Sequence, residues 1–64
     1  MTAPRATVEF YADSVGEWRW RLVAVNGRTV ADGSEGYTRR SDAKRAYRRV
    51  EALVTAGQVV EVES

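Results

Sequence analysis

The sequence predicts a small α+β domain whose elements follow the order β-β-β-α-β, and three patterns predict it. Apolar and polar residues alternate over residues 6–12 and 17–25, a period that is typical of half-buried strands. Asn26-Gly27 comes directly after the second run and is the strongest short-range signal for a hairpin. An apolar stripe at helical spacing then runs through residues 41–56.

The first two strands are predicted over about residues 6–12 and 17–25. In the first, Val8 and Phe10 share one face, while Glu9 and Tyr11 share the other. A turn is predicted at residues 13–16, because Asp and Ser bond to nearby backbone and Gly tolerates a positive φ. The second strand has two unlike faces, one carrying tryptophans and the other arginines, so it is the organising element of the chain.

The third strand is predicted over about residues 28–32, with Val30 near the core. A type I′ turn at Asn26-Gly27 pairs Val25 with Arg28 in the expected register. The helix is predicted over about residues 41–56, with Ser41 as its N-cap and Gly57 as the residue that ends it. A short apolar strand is predicted over residues 58–62, and it needs an edge to pair with, in this chain or in a second copy.

Length and composition narrow the classes of function. The 64 residues form one domain, residues 1–64, with a formal net charge of +1. The chain has no Cys and no His, which excludes disulfides and removes the commonest metal ligand and general base. No metal, cofactor or catalytic residue is therefore expected, and the protein is expected not to be an enzyme. Oligomerisation is the expected source of extra stability for so small a domain.

An ordered set of motifs in the chain also resembles a known protein family. The motifs are Phe10-Tyr11, Gly16-Glu17-Trp18-Arg19-Trp20-Arg21-Leu22, Asn26-Gly27 and Gly33-Ser34-Glu35-Gly36-Tyr37. Together they resemble the YegP-like family of small proteins, a domain of unknown function, from about Val8 to the middle of the helix. The resemblance implies a β-β-β-α unit that occurs either in tandem or singly as a homodimer, and it implies no activity. The Arg-rich helix and residues 58–62 depart from the family pattern.

Several side chains are candidates for binding a ligand or an anion. Trp18 has two interpretations, as the rim of the core or as a stacking platform, whereas Trp20 is interpreted mainly as core. Arg19 and Arg21 lie on the sheet face that no helix covers, so they are solvated, covered by a second subunit or bound to an anion. The full set of candidates is Trp18, Arg19, Arg21, Tyr37, Arg39, Arg40, Arg45 and Arg48.

The predicted function is a small, non-enzymatic, homodimeric binding or interaction module. The alternative is an anion binder for a phosphorylated small molecule, a nucleotide or nucleic acid, because arginines and aromatics together suit phosphates and bases. No apolar run approaches a membrane span and no signal peptide is recognisable, so a cytoplasmic protein with no membrane partner is expected.

Overall fold

A three-stranded antiparallel sheet covered on one face by a single helix forms the domain. The computed structural model describes residues 5–62. Strands β1 (Thr7–Ala12), β2 (Trp18–Val23) and β3 (Thr29–Asp32) lie in the order β1-β2-β3, and helix α1 spans Arg40–Thr55. The α+β fold and the β-β-β-α order are thereby confirmed. Residues 1–4 and 63–64 of the predicted 1–64 domain lie outside the described residues.

The turn between β1 and β2 is organised by Asp13. Its carboxylate accepts hydrogen bonds from the backbone N–H of Val15 at 3.0 Å and of Glu17 at 2.9 Å. Gly16 takes the positive φ of 80° that the turn requires. The predicted turn at 13–16 is confirmed, and the strands leave it in a register that places Phe10 opposite Trp20.

The turn between β2 and β3 differs from the prediction. Only Gly27 has a positive φ, at 87°, so the type I′ turn, which needs two positive φ angles, does not form. Asn26 instead accepts a hydrogen bond from the Arg28 N–H at 3.1 Å, and the Ala24 N–H donates to the Arg28 carbonyl. The predicted pairing of Val25 with Arg28 is wrong by one residue.

A register shift between Leu22 and Val23 follows from this turn. Val23 pairs with Thr29 and Leu22 pairs with Ala31, so β3 contains one extra residue, Val30. Val30 is 60% exposed. Its predicted place near the core is therefore wrong, because the bulge removes it from the alternation that the sequence pattern assumed.

The core lies between the tryptophan face of β2 and the first half of α1. Trp20 is 7% exposed and Ala43 is fully buried. The Tyr47 ring packs edge-on against Trp20, with centroids 5.3 Å apart, and against Phe10 at 6.1 Å. The assignment of Trp20 to the core is confirmed, and the aromatic cluster fixes the helix on the sheet.

The helix ends as predicted but begins differently. Gly57, with φ 68°, donates to the Val54 carbonyl, and the Gln58 N–H donates to the Leu53 carbonyl, which is a Schellman motif. At the other end, Arg39 occupies the N-cap position and no side chain caps the helix. Ser41 is not the N-cap, because the helix starts at Arg40. Within residues 5–62, no helix has the length and apolarity to span a membrane.

The predicted C-terminal strand does not form in the single chain. Residues 58–62 carry no strand. The one backbone hydrogen bond of this described segment joins Gln58 to Leu53 and belongs to the helix end. The ladder bonds that define a strand are missing because this segment pairs with neither edge of its own sheet. Val60 and Val62 are consequently 80% and 86% exposed.

Candidate functional site

The loop after β3 is held close to the sheet by the backbone. The Gly33 N–H donates to the Trp20 carbonyl at 3.1 Å. Trp18 and Tyr37 then exchange two backbone hydrogen bonds, of 2.6 and 2.9 Å. Arg19 also donates from Nη1 to the Ser34 carbonyl at 3.1 Å. Residues 33–37 are thus fixed at both ends, and Glu35 and Tyr37 lie beside the part of α1 between Asp42 and Val50.

A groove of about 370 Å³ lies between this loop and the helix. Its floor includes Trp20, and Ala46 leaves space on the helix side. An adjoining pocket of about 260 Å³ shares Glu35, Tyr37, Ala46 and Arg49 and extends to Asp42 and Arg45. The groove and the adjoining pocket lie side by side along α1, and between them they contain two of the predicted candidates: Tyr37 lines both, and Arg45 lines the adjoining pocket.

The charges around Tyr37 perturb its hydroxyl. Burial raises the pKa of Tyr37, and the Glu35 carboxylate raises it further, while the Arg49 guanidinium acts in the opposite direction. The hydroxyl is therefore a neutral donor at physiological pH. Arg45 forms an exposed ion pair with Asp42 at 3.6 Å, one helical turn earlier, and both residues line the adjoining pocket.

Arg19 and Arg21 lie on the open face of the sheet, away from the groove. Arg19 donates from Nε to Asp13 at 2.6 Å, and this contact lowers the pKa of the Asp13 carboxyl and raises that of Arg19. Arg21 donates to Glu9 across the strands at 2.6 Å and lies 4.6 Å from the centroid of the Tyr11 ring. Both guanidinium groups already have a carboxylate partner, so an anion would have to compete with it.

The other candidates are dispersed. Trp18 is half-buried, does not line the groove, and pairs with Tyr37 through two backbone hydrogen bonds. Arg39 and Arg40 are exposed at the helix N-terminus. Arg48 pairs with Glu51 at 3.5 Å and lies over the outer side of the Tyr47 ring. The eight candidates are therefore spread over the groove region, the open face of the sheet, the helix N-terminus and the outer face of α1, and they do not form one site.

Four charged residues of the groove and its adjoining pocket were missing from the predicted set, namely Asp32, Glu35, Asp42 and Arg49. Glu35 was one of several carboxylates that nothing in the sequence distinguished. Arg49 follows Arg45 by four residues, and this spacing brings two side chains to the same side of a helix. Combined with Tyr37 just before the helix, that spacing was the signal that could have identified Arg49.

Comparisons with known proteins agree with this fold. The profile of the domain of unknown function DUF1508 matches residues 13–61, so the family region includes α1 and most of the C-terminal segment, which the sequence had suggested as departures. Two curated relatives from Neisseria meningitidis, the UPF0339 proteins NMB1088 of serogroup B and NMA1193/NMA1859 of serogroup A, are each 41% identical over 54 residues. That alignment covers 84% of this chain and 95% of each relative.

A solved structure extends the comparison to three dimensions. The NMR solution structure of a protein from Haloferax volcanii matches with a TM-score of 0.76 and 32% sequence identity. The match covers 97% of this chain and all of the other. Together with the profile and the curated relatives, it shows that the chain belongs to the YegP-like family, the domain of unknown function DUF1508.

Proposed function

We propose that this protein is a non-enzymatic binding module that associates with a second copy of itself. The observation that carries the proposal is the uncovered second half of α1. The first half of the apolar stripe packs on the sheet through Ala43 and Tyr47. The second half is exposed, and Val54 is exposed to 61%. A single apolar stripe of which only one half is covered is typical of an interface.

An apolar groove adjoins this exposed half of the helix. It has a volume of about 150 Å³ and lies between the helix and strands β2 and β3. Its apolar lining consists of Trp20, Leu22, Ala31, Tyr47, Val50 and Val54. The groove is open in the single chain, and filling it would extend a core in which Trp20 and Ala43 are the buried apolar side chains of the described residues.

The C-terminal segment supplies a matching occupant from a second copy. Residues 58–62 are exposed and include Val59, Val60 and Val62. In an extended conformation Val60 and Val62 share one face, whereas Glu61 points to the other. β1 and β3 are the two edges of the sheet, and either edge accepts an added strand. Pairing in trans would give the backbone N–H and C=O groups of the segment hydrogen-bond partners. It would also bury apolar surface, and a domain of this size needs such burial for stability.

The test is the molar mass in solution. Light scattering at micromolar concentration should give twice the 7.1 kDa of one chain. Val54→Asp and Val60→Asp should each shift the equilibrium towards the monomer, because a carboxylate in an apolar interface is costly to desolvate. Val15→Asp is the matched control: Val15 is 74% exposed in the β1–β2 turn, so this change should leave the mass unaltered. A wild-type monomer would reject the proposal.

The basic face of α1 supports a second candidate function, anion binding. Lys44, Arg45, Arg48 and Arg49 flank the apolar stripe on α1. Arg45, Arg48 and Arg49 are exposed, whereas Lys44 is half-buried with its Nζ 5.9 Å from the centroid of the Phe10 ring. Asp42 and Glu51 neutralise this face only in part, through exposed pairs of 3.5–3.6 Å, which are individually weak. A surface of this kind suits the phosphates of nucleotides or nucleic acid.

Short DNA and nucleotides test this second function. Binding should be strongest at low salt and should weaken as the salt concentration rises. The reason is that binding to phosphates releases their counterions into solution, and this release is less favourable at high salt. Arg45→Gln combined with Arg48→Gln should reduce affinity, whereas Arg21→Gln, on the opposite face of the sheet, should not. The absence of binding at low salt would exclude this function and would leave self-association unaffected.

A further inference from the structure

We propose that the groove beside Tyr37 binds a small zwitterion of the α-amino-acid type, with Arg49 taking its carboxylate and Glu35 its ammonium group. This site lies between the loop 33–37 and the middle of α1, from Ala46 to Val50. The surface assigned to self-association lies towards the C-terminal end of α1 and in residues 58–62, and its apolar groove shares Trp20 and Val50 with this site. Glu35 and Arg49 do not line the apolar groove and Val54 and Val60 do not line this one, so variants of these residues separate the two sites by experiment.

The size and walls of the groove suit such a ligand. Its volume of about 370 Å³ falls at the lower end of the range of roughly 300–1,000 Å³ for small-molecule sites. Trp20, Ala46 and Val50 supply apolar wall, and the Tyr37 ring adds an aromatic face. Aliphatic atoms of a ligand can contact these walls, while its charged end meets the polar rim formed by Glu35 and Arg49.

The charge pattern of the rim selects a ligand with two charges. Arg49 and two carboxylates, Asp32 and Glu35, line the groove, and none of the three forms an ion pair in the described part of the chain. Glu35 and Arg49 influence the Tyr37 hydroxyl in opposite senses, so both lie within electrostatic reach of the same ring. A simple anion would be attracted by Arg49 but repelled by the two carboxylates, and a simple cation would be attracted by the carboxylates but repelled by Arg49.

Each charged group has a specific role in this geometry. The guanidinium of Arg49 presents a planar fork of donors that matches a carboxylate. The Glu35 carboxylate accepts from an ammonium group, which the face of the Tyr37 ring also attracts. A ligand that carries both groups on neighbouring atoms satisfies both rim residues at once, whereas a ligand with one of them leaves a charge unpaired.

The experiment uses tryptophan fluorescence on the Trp18→Phe variant, in which Trp20, on the groove floor, is the remaining one of the two tryptophans. L-leucine is the probe, and 4-methylpentanoate and 3-methylbutan-1-amine are analogues that lack its ammonium or its carboxylate. L-leucine should give a saturable change with a Kd on the order of 1 mM. Each analogue should bind roughly tenfold more weakly, the equivalent of about 1.4 kcal/mol.

Two variants test which charged group of the ligand each rim residue binds. Glu35→Gln should weaken L-leucine binding but not that of 4-methylpentanoate, and Arg49→Gln should weaken L-leucine but not the amine. Arg48→Gln is the matched control, since Arg48 pairs with Glu51 outside the groove. The proposal is overturned if L-leucine produces no saturable change. It is also overturned if 4-methylpentanoate or inorganic phosphate binds as tightly as L-leucine, because the groove would then be a plain anion site.

Discussion

Trp20→Ala is expected to unfold the domain. Trp20 is 7% exposed, packs on Tyr47 with ring centroids 5.3 Å apart, and lies on the central strand opposite Phe10. Removal of a buried tryptophan costs roughly 3–5 kcal/mol through lost transfer free energy and the cavity left behind. A domain of this length has a total stability of roughly 3–10 kcal/mol on the usual per-residue scale. The loss is therefore comparable to the whole stability.

Thermal unfolding followed by circular dichroism measures this effect. Trp18→Ala is the matched control, since Trp18 lies on the same face of the same strand but is only half-buried. We expect Trp18→Ala to remain folded with a lowered Tm. Trp20→Ala should already be unfolded at room temperature and should therefore show no cooperative transition on heating. Equal losses in the two variants would mean that the core is not centred on Trp20.

The contrast between these tryptophans shows what sequence patterns can predict. Alternation assigned both side chains to one face and Trp20 to the core, while the position of Trp18 near the strand end left it between the core rim and a stacking platform. The same alternation placed Arg21 and Glu9 on the open face, where they form the cross-strand pair at 2.6 Å. Such features depend on period and register within one hairpin, so local sequence is sufficient to predict them.

Features that depend on a choice between similar backbone conformations were less predictable. Asn26-Gly27 suits both a type I′ turn and a longer turn in which Gly27 alone has a positive φ. The chain adopts the second, and this choice displaces Val30 from the core side. Residues 58–62 have the composition of a strand, but whether they form one depends on a partner edge, which lies beyond local sequence.

The candidate site was predictable only in part for a related reason. Tyr37 and Arg45 were identified from residue type, but the groove is created by contacts distant in sequence. The bridge between Trp18 and Tyr37 and the Gly33 bond to Trp20 bring the loop to the helix. Those contacts decide that Glu35 and Arg49 line the same groove, and no pattern within the loop or the helix alone encodes that.

Gly33→Ala is expected to have the second-largest effect on stability. Gly33 does not have a positive φ, so alanine is not strained by its backbone there. Its Cβ would instead lie 2.9 Å from both Cδ1 and Cε2 of the Trp20 indole, closer than real Cβ contacts allow. The ring is buried and packs edge-on against Tyr47, so any shift that accommodates the added methyl group disturbs the aromatic core. Overpacking of this kind costs roughly 1–3 kcal/mol, and it would also move the loop that carries Glu35 and Tyr37.

Gly36→Ala distinguishes this packing effect from a general intolerance of the loop to any added side chain. A Cβ at Gly36 would lie 2.9 Å from the Glu17 carboxyl carbon and 3.0 Å from its Cβ. Glu17 is exposed, and the outer part of its side chain can rotate away into solvent, whereas the Trp20 indole cannot. We therefore expect Gly36→Ala to lower the Tm in thermal unfolding much less than Gly33→Ala. Similar losses in Tm would show instead that the loop shifts to accommodate the added Cβ at both positions. The Trp20 ring would then not fix the distance between the loop and the sheet.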